Sequence, residues 1–263
     1  MSHPKKILTE VADGVGWITF NNPERRNAMS LEMWQGLGDA AEAMQADAGV
    51  RVVVMRGAGG KAFVSGADIS EFEQHRANAQ QKEAYGAIAA RGHLGLANLT
   101  KPLIALIEGF CIGGGLALAL AADVRFASAG SRFGIPAAKL GLGYEYGGIA
   151  ALARLVGPSA AKDILFSGRL LETDEALRIG LVNAVLAPAD LERKVRDYAL
   201  NIAGNAPLTV HAAKQAVRVF ERYAAQAEGD EIAVLVDRCF DSDDYREGRR
   251  AFLEKRKPRF EGR

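Results

Sequence analysis

The sequence predicts an α/β protein, and three observations carry that expectation. Short apolar and β-branched runs alternate with segments of helical periodicity, glycine clusters punctuate the change from one to the other, and strand signals stop after Pro188. The implied division is an α/β core over residues 1–200 and a C-terminal helical region over residues 201–263, with no internal repeat or low-complexity linker.

The elements follow in order. Ile7–Val11 and Val15–Phe20 flank Ala12-Asp13-Gly14, whose Asp-Gly pair tolerates the positive φ of a tight hairpin. Turn-rich Asn21–Asn27 leads to Ser30, a good N-cap, ahead of Leu31, Trp34, Leu37, Ala41 and Met44 at helical spacing. Val50–Met55 reads as a buried strand closed by the glycines of Gly57–Gly60, with Phe63–Asp68 as a loop and Ile69–Leu99 as a polar helical stretch. Pro102–Ile107, Asp123–Ala127 and Leu181–Leu186 are further strands. Ala189–Ala203, Pro207–Ala224, Ile232–Phe240 and Asp243–Lys255 read as helices.

Composition excludes several classes. With 263 residues, 49% of them hydrophobic, the chain can bury a large core. Its 33 basic and 32 acidic residues leave a formal charge of +1, so no global field attracts nucleic acid or an anionic membrane, and an anionic ligand must be gripped locally. The most apolar stretch, Ile112–Ala122, is too short to span about 30 Å of hydrocarbon. Cys111 and Cys239 are too few for a disulfide framework or a cysteine-rich zinc site, and the N-terminus lacks a secretion signal. The expectation is a soluble cytoplasmic protein with neither nucleic-acid nor membrane partner.

The chemistry concentrates where strand Pro102–Ile107 runs through Glu108 into Gly113-Gly114-Gly115 and the helix formers Leu116–Ala122. Glycine there permits positive φ and close approach of a backbone or ligand, and the free N–H groups of a first helical turn suit a developing oxyanion. A packing junction explains the same glycines equally well. The spacings G-x-G-x-x-G, G-x-x-x-x-G-K-[ST], G-x-S-x-G and H-E-x-x-H do not occur here, and His3, His75, His93 and His211 form no ligand spacing.

Eight segments resemble the crotonase (enoyl-CoA hydratase/isomerase) superfamily, in that family's order and over nearly the whole chain: Arg26–Ser30, Lys61–Ile69, Glu108–Gly115, Asp123–Ala127, Phe133–Pro136, Leu152–Gly157, Gly180–Asn183 and Ala251–Lys255. The resemblance implies a spiral of ββα units with a C-terminal helical trimerisation region, assembled as a homotrimer or a hexamer (a dimer of trimers). It implies an acyl-CoA substrate and no cofactor or metal beyond that substrate's coenzyme A moiety. By the same resemblance, the N–H groups of Ala67 and Gly114 form an oxyanion hole for the thioester oxygen. Arg26, Ala28, Lys61, Ala62, Ala67, Asp68 and Ile69 line the coenzyme A, and Phe252 and Lys255 reach a neighbouring subunit's coenzyme A. Lys255 fits equally well as one charge of the solvated run Lys255-Arg256-Lys257. The apolar residues Leu191, Val195, Tyr198 and Leu200 also suggest a helical face left for a partner subunit.

The chain departs from the family's hydratases at two positions. Ala117 and Ala137 stand where those enzymes carry their two glutamates, and alanine can move no proton. Tyr144 and Glu145 are the new titratable residues in the nearby loop Leu140–Gly148. Glu145 falls where a dehalogenase of the family carries a nucleophilic aspartate, and Tyr144 where a decarboxylase carries a substrate-orienting tyrosine; both also fit as capping or solvent-facing groups. The leading reading is a crotonase-type lyase or isomerase, nominally an enoyl-CoA hydratase/isomerase, with Glu145 as acid/base. Decarboxylation of a malonyl-type acyl-CoA, acyl-CoA hydrolysis and a catalytically silent CoA-binding homologue remain as alternatives.

Overall fold

A computed structural model describes residues 5–71, 79–140, 144, 146–222 and 241–263. Strands β1 (Ile7–Ala12) and β2 (Val15–Phe20) form the expected antiparallel hairpin, with Asp13 at φ 53° and Gly14 at φ 78° making the turn. β2 then pairs in parallel with β3 (Val52–Gly57), β3 with β5 (Leu103–Ile107), β5 with β7 (Val124–Ser128) and β7 with β9 (Ala184–Leu186). The result is a six-stranded sheet in the order β1-β2-β3-β5-β7-β9.

Side chains alternate between the faces of this sheet. Val52, Val54, Ile104 and Leu106 join Val15 and Trp17 beneath Leu191, Val195 and Ala199 of the helix Pro188–Ala203. Val53, Met55, Leu103, Ala105 and Ile107 enter the larger core with Met33, Trp34 and Leu37 of α1 (Leu31–Ala46). Two covered faces account for the continuously apolar strands, and each fully buried Val, Leu or Ile is worth about 1.5–3 kcal/mol relative to exposure. The same packing corrects one expectation: Leu191 and Val195 are buried against the chain's own sheet, while Tyr198 and Leu200 keep 38% and 37% of their surface.

α1 starts as its cap residue dictates, with Ser30 Oγ accepting from the Met33 N–H at 3.2 Å. The next helix is α2 (Ala79–Ala97), so the expected helix from Ile69 begins instead with a 3-10 turn, Ile69–Glu71, and residues 72–78 lie outside the described ones.

A second sheet is the main departure. β4 (Ala62–Val64), β6 (Phe110–Ile112) and β8 (Arg132–Gly134) form a parallel three-stranded sheet in the order β4-β6-β8. The segment Phe63–Val64, read as loop, belongs to β4, and β6 intervenes between β5 and the glycine-led helix α3 (Gly114–Leu120). Three residues are too few to show a period of two, so sequence patterning misses such strands. Successive units β3-β4, β5-β6 and β7-β8 each place one strand in either sheet, which is the spiral of ββα units.

The remaining helices are α4 (Tyr146–Val156), α5 (Pro158–Ser167), α6 (Thr173–Arg178), α7 (Pro188–Ala203), α8 (Pro207–Arg222) and α9 (Asp243–Leu253). The helix expected over Ile232–Phe240 and the residue Cys239 lie outside the described residues. Among the described residues no helix is long and apolar enough to cross a membrane.

Candidate active site

Because β4, β6 and β8 are parallel, their carboxyl ends lie at one edge of the small sheet, and the loops that follow meet there. These are the loop 65–68, the turn at Gly113-Gly114 and the 3-10 turn Pro136–Leu140. Gly113 N–H donates to Gly134 O at 2.8 Å, joining the ends of β6 and β8. A Cβ placed on Gly113 would stand 4.0 Å from Gly66 Cα, so the first two loops nearly touch.

The first loop is held from outside. Met29 N–H donates to Gly66 O at 2.8 Å and Asp68 N–H to Met29 O at 2.9 Å, the two bonds of a parallel bridge between Met29 and Ala67. In that pattern the N–H of the intervening residue points the other way, so Ala67 N–H faces away from Met29, and none of the described residues accepts its hydrogen. Gly66 permits the turn with φ 120°. Further anchors come from Glu71 Oε2, which accepts from the Leu31 N–H at 2.8 Å, and from Arg25, whose guanidinium meets both Asp68 oxygens at 3.2 Å.

The second loop begins α3. Gly113, with φ 53° and ψ −117°, is the residue ahead of the helix, and Ala117 N–H closes its first turn on Gly113 O at 3.0 Å. The Gly114 N–H therefore has no intrahelical acceptor. Among the described residues a Cβ on Gly114 would meet nothing within 4 Å, whereas one on Gly115 would fall 2.1 Å from Val64 O. Gly115 is a buried, close-packing glycine, and Gly114 is half-buried. The packing reading of the glycine run thus holds at Gly115.

The other expected site residues are distributed unevenly. Arg26 is exposed and stacks over Phe110, its guanidinium carbon 5.1 Å from the ring centroid. Ala28 is half-buried in the loop next to it, Lys61 is exposed, and Ala62 is buried with its carbonyl bonded to Asn27. Asp68 is buried and bonded to Arg25 and Ser70, and Ile69 opens the 3-10 turn. Tyr144 is half-buried and donates its hydroxyl to Gly113 O at 3.2 Å. Glu145 lies outside the described residues. Phe252 sits in the last turn of α9 and Lys255 just beyond it, exposed with φ 54°; Glu247 and Asp244 accept hydrogen bonds from Arg256, Arg259, Glu261 and Gly262 within the same segment, and Arg51 donates to Phe260 O.

Sequence reasoning gave Asn27 no part of its own. It is fully buried at φ 56°, donates to Ala58 O at 3.0 Å and Ala62 O at 2.7 Å, and accepts from the Asn22 N–H at 2.9 Å. An asparagine in a turn-rich run, where left-handed conformations are tolerated, is the only local signal. Partial burial, reinforced by Glu192, raises the pKa of Glu108, but this residue precedes β6 and stands away from the carboxyl ends. Among the described residues no cluster of three or more histidine, cysteine, aspartate or glutamate side chains is placed to hold a metal.

The enoyl-CoA hydratase/isomerase family profile matches residues 10–263, nearly the whole chain. The chain belongs to the enoyl-CoA hydratase/isomerase family. It is 35% identical over 255 residues to the short-chain-enoyl-CoA hydratase of Clostridium acetobutylicum, covering 95% of either chain. It is also 35% identical over 260 residues to the crotonyl-CoA hydratase of Syntrophomonas wolfei, covering 97% of this chain and 98% of that one. The crystal structure of an enoyl-CoA hydratase/carnithine racemase from Magnetospirillum magneticum superposes with a TM-score of 0.92 at 37% identity, over 99% of this chain and 97% of that chain. As a family member, the protein is an enzyme that processes acyl-CoA thioesters.

Proposed function

We propose that the protein binds an acyl-CoA thioester with its carbonyl oxygen between the N–H groups of Ala67 and Gly114, which stabilise the enolate formed during turnover. The single observation that supports this most is the meeting of two loops whose N–H groups at Ala67 and Gly114 have no described acceptor, with Gly66 and Gly113 nearly in contact. Each well-placed donor of this kind lowers a barrier by roughly 3–4 kcal/mol. The reaction class is a crotonase-type lyase or isomerase, and the hydratases among its relatives make enoyl-CoA the first substrate class to test. Ala117 on α3 and Ala137 after β8 carry no titratable group, so proton transfer is assigned to Glu145, with coenzyme A lined by Arg26, Ala28, Lys61, Ala62, Ala67, Asp68 and Ile69. Exposed apolar residues on α7 and α8 (Tyr198, Leu200, Val217, Phe220) support assembly through the helical region as a homotrimer or hexamer, in which Phe252 and Lys255 serve a neighbouring subunit; a monomer by sedimentation at micromolar concentration contradicts it.

Turnover on a panel of enoyl-, hydroxyacyl- and malonyl-CoA thioesters tests the reading. Hydration of crotonyl-CoA is expected to run several orders of magnitude below that of a two-glutamate hydratase, since each acid/base group contributes about 10²–10⁴-fold. A rate typical of efficient hydratases would overturn the assignment of Ala117 and Ala137. Decarboxylation of a malonyl-type acyl-CoA is the second reading, favoured by a tyrosine hydroxyl one peptide group from the Gly114 N–H. Rapid CO2 release from the malonyl thioesters, insensitive to Glu145→Gln, selects it.

A further inference from the structure

We propose that Tyr144 is a positioning residue of the oxyanion hole, its hydroxyl on Gly113 O at 3.2 Å holding in place and polarising the peptide group whose opposite end is the Gly114 N–H. This rests on the assignment of that N–H to the thioester oxygen. Gly113 C=O and Gly114 N–H belong to one planar unit, so a donor fixed on the oxygen fixes the direction of the hydrogen. It also draws electron density from the nitrogen and makes the N–H a stronger donor, as in any hydrogen-bonded chain. Ala117 N–H donates to the same oxygen at 3.0 Å, so Tyr144 completes a pair.

The bond from Ala117 restrains this peptide from within the helix, and Tyr144 adds a restraint from outside it. Gly113 holds φ 53° and ψ −117°, and a glycine offers little steric resistance to rotation of the unit that follows it. Its N–H is tied to Gly134 O, but that bond secures the preceding peptide, not the one that carries the Gly114 N–H. Tyr144 is suited to the task because its ring is seated: it packs against the large core, and a Cβ on Gly148 would fall 2.7 Å from ring Cε1. Burial pushes the phenol up to about 12, so the hydroxyl remains a donor over the whole range in which thioesters are handled.

The experiment compares wild type, Tyr144→Phe and Gly148→Ala. The first variant deletes the hydroxyl and keeps the ring; the second keeps the hydroxyl and crowds the ring from its seat. The carbonyl stretch of [1-13C]crotonyl-CoA is recorded by infrared difference spectroscopy, free and bound, alongside turnover of the fastest thioester of the panel. In the wild type the stretch should fall to lower frequency on binding. In both variants that shift should shrink, with kcat down about 3–10-fold and KM within about 2-fold, at unchanged melting temperature. Wild-type protein that binds without a shift removes the hole itself, and this proposal with it. A normal shift in the wild type retained in full by Tyr144→Phe, or a change in KM alone, overturns the positioning role and leaves the hole standing. Should Tyr144→Phe melt early, the Gly148→Ala spectrum decides by the same criterion.

Discussion

The strand-end loops and the C-terminal segment 241–263 are both fastened by polar contacts, but of different kinds. At the loops the fastenings next to the proposed donors are neutral and sheltered, namely backbone to backbone between Met29 and the loop 65–68, Gly113 to Gly134, and the buried Asn27 amide on two carbonyls, with the charged Arg25–Asp68 pair and the Glu71 carboxylate added further out. In the C-terminal segment they are charged. Glu247 gathers Arg256, Arg250 and the Arg259 N–H, while the buried Asp244 accepts from Glu261 and Gly262 at 2.6 and 2.8 Å. Neutral buried bonds hold a geometry whatever the ionic strength, whereas surface ion pairs weaken with salt and contribute little each. The part proposed to aim donors at a reacting atom is held mainly in the first way, and the part proposed to reach another subunit mainly in the second.

The largest effects should fall on the loops. Ala67→Pro deletes one donor and Gly114→Val puts a branched side chain beside the other, at a position where a Cβ meets none of the described residues within 4 Å, so each should reduce kcat/KM by 10²–10³-fold or more with most of the fold retained. Undiminished turnover in both variants would remove the hole from the account. Glu145→Gln should lower kcat by roughly 10²-fold on the true substrate, with CoA affinity and melting temperature little changed. Full activity in that variant makes residue 145 structural and sends the proton elsewhere.

Asn27→Ala leaves the Asn22 N–H and two carbonyls short of a partner and places alanine at positive φ; denaturant unfolding should register a loss of about 2–3 kcal/mol. A loss below about 1 kcal/mol would mean that water replaces the amide. The smallest effect belongs to the tail. Hydrogen bonds from Arg256, then from the Arg259 backbone and Arg250, hold the Glu247 carboxyl well below its ordinary range. A depressed carboxylate stabilises above its unfolded pKa of about 4.3 and loses that contribution as pH falls through the folded value. Amide exchange at Arg259, whose N–H donates to Glu247, should therefore quicken below about pH 4 and at molar salt, relative to Met29 and Gly113. Equal responses in the two regions would erase the contrast.

What could be read from the sequence follows the same divide. Leu103–Ile107 is legible because a strand covered on both faces must be apolar throughout, and Ser30 because a cap acts on residues next to it. β4, β6 and β8 are not legible: each spans three residues, and their pairing joins parts of the chain far apart in sequence. The glycine run could be singled out, yet which glycine packs closely depends on Val64 O, a partner no local pattern reveals. Leu191 and Val195 misled for the opposite reason, since an amphipathic helix does not say whether its apolar face covers its own sheet or another subunit.

The Gly113–Gly134 bond also bears on biosynthesis. Both proposed donor residues are made well before Gly134, yet the carbonyl that steadies Gly113 belongs to a later ββα unit. A ribosome-bound chain that ends ahead of β8 would own Ala67 and Gly114 and still hold its second loop untethered. Ligand competence in a nascent or refolding chain is expected to lag behind its helical content, since contacts between distant segments form late.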